Sequence, residues 1–206
     1  MGRERGKEDK GHIAMCVGNI IAALAFPLPD PHWGADALQR HPGLVQLVTR
    51  RNERVPAVLF KADNARFTIL YSHGNAEDVS ISLDYLEEMA AACQANVFAY
   101  EYVGYSLSAL DGAKPSEGGC FRAIETAWRH LTLTLNIHAK DIIVFGRSLG
   151  YRLRVFSYTH THAHTPRIPR TPTEACVVCV RACLPACLPA CVRACVRVQD
   201  LAQRST

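Results

Sequence analysis

The 206-residue sequence predicts an α/β fold built on an open, mostly parallel sheet. Three observations carry that expectation. Short apolar runs alternate with amphipathic stretches from residue 44 to residue 145. The later runs are apolar throughout rather than alternating, as strands covered on both faces are. Strand, helix, strand, helix, strand in succession is the order that right-handed crossovers wind into a parallel sheet.

The elements follow in chain order. Residues 44–49 and 55–61 are short and rich in Val and Leu, with the polar RRNER between them, and read as a hairpin. FTILYS, residues 67–72, is a near-continuous apolar strand. Residues 79–93 place Ile81, Leu83, Tyr85, Leu86, Met89 and Ala90 at mostly helical spacing. NVFAYEY, residues 96–102, is the next strand. Residues 116–136 form a second helix with Phe121, Ile124, Trp128, Leu131 and Leu135 on one stripe and Ser116 as N-cap. DIIVF, residues 141–145, is a further buried strand.

Composition divides the chain at residue 150. Residues 1–150 carry 15 Lys and Arg against 17 Asp and Glu, a formal charge of −2, whereas residues 151–206 carry eight Arg against Glu174 and Asp200, or +6. The net +4 therefore belongs to the tail and gives no nucleic-acid signal. Cys16, Cys93 and Cys120 are scattered, while six cysteines lie between 176 and 195. Isolated thiols suit a reducing compartment, where they serve as small apolar residues.

Three segments are expected: an N-terminal segment over 1–33, a partial domain over 34–150, and a low-complexity Arg/Cys-rich tail over 151–206, disordered in solution. No apolar run reaches the ~20 residues that span a bilayer. The run over residues 13–26 follows Arg3, Arg5, Lys7 and Lys10 and ends in Ala23-Leu24-Ala25. It reads first as an interfacial anchor supported by acylation of Cys16, and alternatively as a secretory signal peptide within residues 1–25. AFPLPDPHW then reads as an extended connector. In the tail, THTHAHT is close to a dipeptide repeat and ACLPACLPACVRACVR has a four-residue period. Alternating A and C encodes Thr-His, and one cycle of TGCC or TGCG read in triplets encodes Ala-Cys-Leu-Pro or Ala-Cys-Val-Arg. The tail reads as translated repeat from a retained intron.

Two short motifs carry chemistry. Gly146-Arg147-Ser148-Leu149-Gly150 matches G-x-S-x-G directly after the DIIVF strand. In that strand-to-helix turn small flanking residues let helix and strand pass closely, the serine Oγ is lifted into the open, and the next backbone N–H is aimed at the same point. Ser72-His73-Gly74-Asn75-Ala76 follows the FTILY strand. A glycine there lets the backbone turn an N–H toward the elbow, where with the Leu149 amide it would stabilise a tetrahedral oxyanion; one such donor is worth ~3 kcal/mol of barrier. His73 is expected to pack and hydrogen-bond locally rather than transfer protons. The pair of loops, about 75 residues apart on successive strand ends, is far more specific than either alone.

YSHGNAEDV, NVFAYEYVGYSLS, the PSE at 115–117, AIETAW and DIIVFGRSLG together resemble alpha/beta-hydrolase-domain family seventeen, within the wider Bem46-like and serine-aminopeptidase-like hydrolases. The resemblance runs from about residue 20 to Gly150. It implies the N-terminal half of an alpha/beta-hydrolase doubly wound sheet, truncated after the nucleophile elbow. It further implies a membrane-attached serine hydrolase that removes palmitate from protein cysteines, working peripherally at the cytoplasmic side of membranes on acylated proteins or other acyl esters and thioesters. Ser148 is then the nucleophile, and Asn75 and Leu149 lend the oxyanion-hole amides. No cofactor and no metal are implied. AALAFPLPDP is similar to the segment that follows acylated cysteines in that family, with only Cys16 in place here. One departure is YSLSALDGAKPSE, longer than the usual loop and with Ser106 where glycine is typical, which is expected to reshape the acyl-chain mouth.

In this fold the acid and base follow the serine in the order Asp, then His. Downstream of Ser148 the sole aspartate is Asp200, and His160, His162 and His164 precede it, so neither order nor spacing fits. Cys176-Val-Val-Cys179 and the cysteines after it lack the two separated knuckles of a structural zinc site. The sequence therefore carries two expectations: a serine hydrolase by resemblance, inactive in this form, or a non-catalytic product of a retained intron.

Overall fold

The computed structural model describes residues 26–28, 35–147, 149–150 and, for the backbone, 176–179. In chain order the principal elements are α1 (Ala35–Arg40), β1 (Leu44–Val48), β2 (Arg54–Phe60), β3 (Thr68–Ser72), α2 (Leu83–Cys93), β4 (Asn96–Tyr100), α3 (Glu117–Arg129), β5 (Ile142–Gly146) and β6 (Cys176–Cys179). They form one mixed sheet in the order β1-β2-β4-β3-β5-β6. The β1–β2 pair is the expected antiparallel hairpin, β2 joins β4 antiparallel, and β4, β3, β5 and β6 run parallel.

The continuous apolar runs are explained by what lies above and below the sheet. Successive side chains of a strand face opposite ways. Ile69 and Tyr71 of β3, Val97 and Ala99 of β4, and Ile143 and Phe145 of β5 pack with Leu86, Met89 and Ala90 of α2 and with Leu38 of α1. Their neighbours Leu70, Phe98, Tyr100, Ile142 and Val144 pack with Cys120, Ile124, Ala127 and Trp128 of α3. Both faces are buried, so no strand position is left for a polar residue until the strand ends.

Boundaries differ from the sequence expectation in ways that local forces explain. The 79–93 segment opens as a short 3-10 turn, Ser80–Ser82, before the α-helix, and Ile81 is exposed. Ser116 caps α3, its Oγ accepting from the Gly119 N–H at 3.1 Å. The α-helix stops at Arg129 and continues as a π-helical turn, His130–Thr134, which rotates Leu135 off the buried stripe and leaves it 40% exposed. β4 ends at Tyr100, two residues before the end of the expected strand, although Glu101 N–H still donates to the Pro56 carbonyl of β2 at 2.8 Å. The short helix α1 and a 3-10 segment over Ser106–Asp111 have no counterpart in the sequence reading.

With no strand beyond it, β5 would be an apolar sheet edge. In the structure Cys176–Cys179 lies beside β5 in parallel register, from Ile143 opposite Cys176 to Gly146 opposite Cys179. The unpaired N–H and C=O row of β5 offers a ready template, and the Val-Val centre of CVVC suits a strand. The rest of the 151–206 tail, like the 1–25 segment with Cys16, lies outside the described residues. Among the described residues no helix is long and apolar enough to cross a membrane.

Candidate active site

From β3 the chain crosses to β4 on one side and then returns past β3 to β5 on the other. In an open α/β sheet this reversal opens a crevice at the carboxyl ends of the strands, and ligands bind there. The two motifs sit at that crevice. Ser72, the last residue of β3, is opposite Gly146, the last of β5. The loop beginning at His73 and the turn beginning at Arg147 therefore leave the sheet side by side.

The elbow is held tightly against β3. Arg147 N–H donates to the Ser72 carbonyl at 3.0 Å, and Gly150 N–H donates to the Arg147 carbonyl at 2.9 Å. Leu149 and Gly150 have helical backbone, and Leu149 packs half-buried against the α3-side core. A Cβ on Gly150 would lie 2.4 Å from the Ser72 carbonyl oxygen and 2.7 Å from its Cβ. Any side chain there would drive helix and strand apart, which is the physical reason for the second glycine of the motif. Ser148 lies outside the described residues.

On the other side, the loop after β3 is organised by two carboxylates. Glu101 and His73 are both fully buried, with His73 Nε2 2.8 Å from Glu101 Oε1. The same oxygen accepts from Tyr102 N–H at 2.9 Å, and Oε2 accepts from Val79 N–H at 3.0 Å. His73 Nδ1 is 2.9 Å from the Gly74 carbonyl oxygen. A carbonyl can only accept, so the contact to Gly74 favours a proton on Nδ1, and the Glu101 carboxylate favours a second one, and with it a positive charge, at Nε2. Burial opposes that charge, but the Glu101 carboxylate beside it and the Gly74 carbonyl outweigh burial and hold the His73 pKa above the ordinary imidazole value. The histidine lies against Tyr102, ring centroids 4.0 Å apart. Tyr102 OH donates to the His73 carbonyl at 2.7 Å, and Tyr105 OH donates to Asn75 Oδ1 at 3.1 Å. Ser72 Oγ and Tyr100 OH share a hydrogen bond of 2.6 Å.

The second carboxylate is Glu77. Its Oε2 accepts from the Gly74 N–H at 3.1 Å, and its Oε1 pairs with Arg147 Nη1 at 2.9 Å. The Gly74 amide is thus committed inside the loop, and the amides of Asn75 and Leu149 are the ones the sequence reading assigns to an oxyanion.

Of the sequence-predicted residues, Asn75 and Leu149 lie on the two loops that the β3–β5 register brings side by side. His73 packs and hydrogen-bonds locally, as expected, and also makes the long-range bond to Glu101. Glu77, Glu101, Tyr102, Tyr105 and Arg147 had no role in the sequence reading. For Glu101 a signal exists: it is the single charge inside NVFAYEY. Ser106, at the expected glycine position, adopts the left-handed φ of 43°, and its buried Oγ has no hydrogen-bond partner among the described residues.

No family model matches the chain. Curated proteins do. Alpha/beta hydrolase domain-containing protein 17B of Homo sapiens is 28% identical over 158 residues, which cover 66% of this chain and 54% of that protein. Protein 17C of Mus musculus is 32% identical over 103 residues, covering 50% and 31% respectively. The chain resembles family seventeen of the alpha/beta-hydrolase-domain proteins. It spans about half, or less, of the length of these relatives. Among solved structures, the Pyrococcus furiosus esterase Pf2001 superposes with a TM-score of 0.50 at 14% identity, over 66% of this chain and 53% of that one. That likeness concerns the fold alone. Part of an alpha/beta-hydrolase sheet is present, with the elbow and the loop after β3 on its carboxyl edge.

Proposed function

We propose that this chain carries the nucleophile and oxyanion half of a serine hydrolase acting on acyl esters or thioesters, with palmitoylated protein cysteines as the substrate class. Ser148 is the nucleophile, and the backbone amides of Asn75 and Leu149 receive the oxyanion. The observation that supports this reading is the adjacency of the two loops at the sheet's switch point, with Gly150 pressed against Ser72. Membrane-surface work, with Cys16 acylated and the protein on the cytoplasmic side, follows from the family resemblance.

Chemistry at Ser148 proceeds by attack of Oγ on the acyl carbon, with its proton passing to a base and the thiolate or alkoxide leaving as the acyl-enzyme forms. Water then hydrolyses that ester. The residues after Ser148 hold no Asp and His in the order the fold uses. We therefore propose that the 206-residue polypeptide by itself turns over ~10⁴ to 10⁶ times more slowly than a complete triad.

A second reading, a non-catalytic product with a repeat-derived tail, is favoured by the wrong order of Asp200 and the three tail histidines. A fluorogenic acyl thioester offered to the purified chain separates the two. Turnover that disappears in Ser148→Ala supports hydrolysis by this polypeptide; background rates in both proteins support the non-catalytic reading.

A further inference from the structure

Glu77 stands between the two loops, and its oxygens have different partners. Oε2 holds a backbone N–H of the β3 loop, that of Gly74, at 3.1 Å, while Oε1 holds the guanidinium of Arg147, the residue before Ser148, at 2.9 Å. A Cβ at position 74 would sit 3.1 Å from the Glu77 carboxyl carbon, so the carboxylate would have to give by a few tenths of an ångström. Arg147 is anchored from below as well, by its N–H to the Ser72 carbonyl. The Glu77 side chain is 22% exposed and that of Arg147 64%. Pairs so placed contribute little to stability. What this one does is join the β3 loop to the elbow across the crevice.

We propose that Glu77 and Arg147 are positioning residues, a clasp that withdraws the Gly74 N–H from the oxyanion site and sets the spacing between the loop bearing Asn75 and the turn bearing Ser148. Its purpose rests on the serine-hydrolase reading; its geometry does not. Because a bound carboxylate occupies the Gly74 amide, the oxyanion falls to the amides on either side of the crevice rather than to two from one loop. Because Arg147 is next to the nucleophile in the chain, a shift of Glu77 is transmitted to the turn without passing through the core.

The test is residue-resolved amide hydrogen exchange by nitrogen-15 NMR on the full chain, comparing wild type with Glu77→Ala, Arg147→Gln and Arg147→Lys. Loss of one hydrogen bond from Gly74 is expected to speed its exchange by about tenfold in Glu77→Ala. Arg147→Gln is expected to accelerate Gly74 as well, although it touches Gly74 only through Glu77, and Arg147→Lys is expected to restore protection. Exchange at Ile69 and Val97, inside the sheet, stays at the wild-type rate in all three. Should Glu77→Ala fail to fold, the exposed Arg147 pair decides the matter alone. Gly74 exchange equal in wild type and Arg147→Gln, or equally fast with glutamine and lysine, would overturn the clasp. The hydrolase reading fails by a different sign, absence of any acyl or phosphonyl adduct at Ser148, so the two outcomes are separable.

Discussion

Two carboxylates, Glu101 and Glu77, flank the same five-residue loop, and they differ in almost every physical respect. Glu101 is fully buried, accepts from His73 and from two backbone N–H groups, and lies at the end of a central strand. Glu77 faces the crevice, accepts from one backbone N–H and pairs with an arginine whose side chain is largely in solvent. The first interaction is made where charge is expensive and must be fully satisfied. The second is made where charge is cheap and water competes for it. Stability should therefore depend on the inner carboxylate and loop spacing on the outer one.

The largest expected effect breaks that contrast from the inside. Glu101→Ala removes the partner of the buried His73 ring and of two backbone N–H groups, and should cost about 3–5 kcal/mol in urea denaturation. A loss under 1 kcal/mol would place the two carboxylates in one class. A pH series sharpens the same point. The His73 pKa is raised in the folded state, so the stability it contributes is complete below the ordinary imidazole pKa and disappears as pH rises through the elevated value. The unfolding free energy should fall across that window by at most about 1.4 kcal/mol per pH unit, and His73→Gln should flatten the slope. Next comes Ser106, strained and with an orphaned hydroxyl. Ser106→Gly should stabilise by about 1 kcal/mol, read as a higher urea midpoint with unchanged slope. Smallest of all, Arg147→Gln should change stability by no more than about 0.5 kcal/mol, although it alters exchange at Gly74.

What the sequence made legible was governed by local rules. The strands of the central sheet announced themselves because both faces are covered, so every position in TILYS and IIVFG had to be apolar or small. Ser116 was readable as a cap because its side chain acts within one turn. The glycine of the elbow was readable because its cause, the approach of Ser72, comes with the motif. What stayed hidden depended on long-range partners. Glu101 meets His73 across 28 positions, and Arg147 meets Glu77 across 70; no periodicity reports such pairs. The π-helical turn after α3 also escaped, since Leu135 continues the helical stripe in sequence while the wider turn rotates it outward. The strand at Cys176–Cys179 was obscured by the repeat around it, which masks four residues of ordinary β character.

We propose a nucleophile turn and an oxyanion loop whose serine is followed in the sequence by no Asp and His in the order the fold uses. Intact-mass kinetics with a fluorophosphonate probe test it most directly. The expected result is a slow adduct confined to Ser148 and absent from Ser148→Ala, with a rate close to that of an ordinary alcohol. Rapid stoichiometric labelling of Ser148, abolished by prior heating, would contradict it.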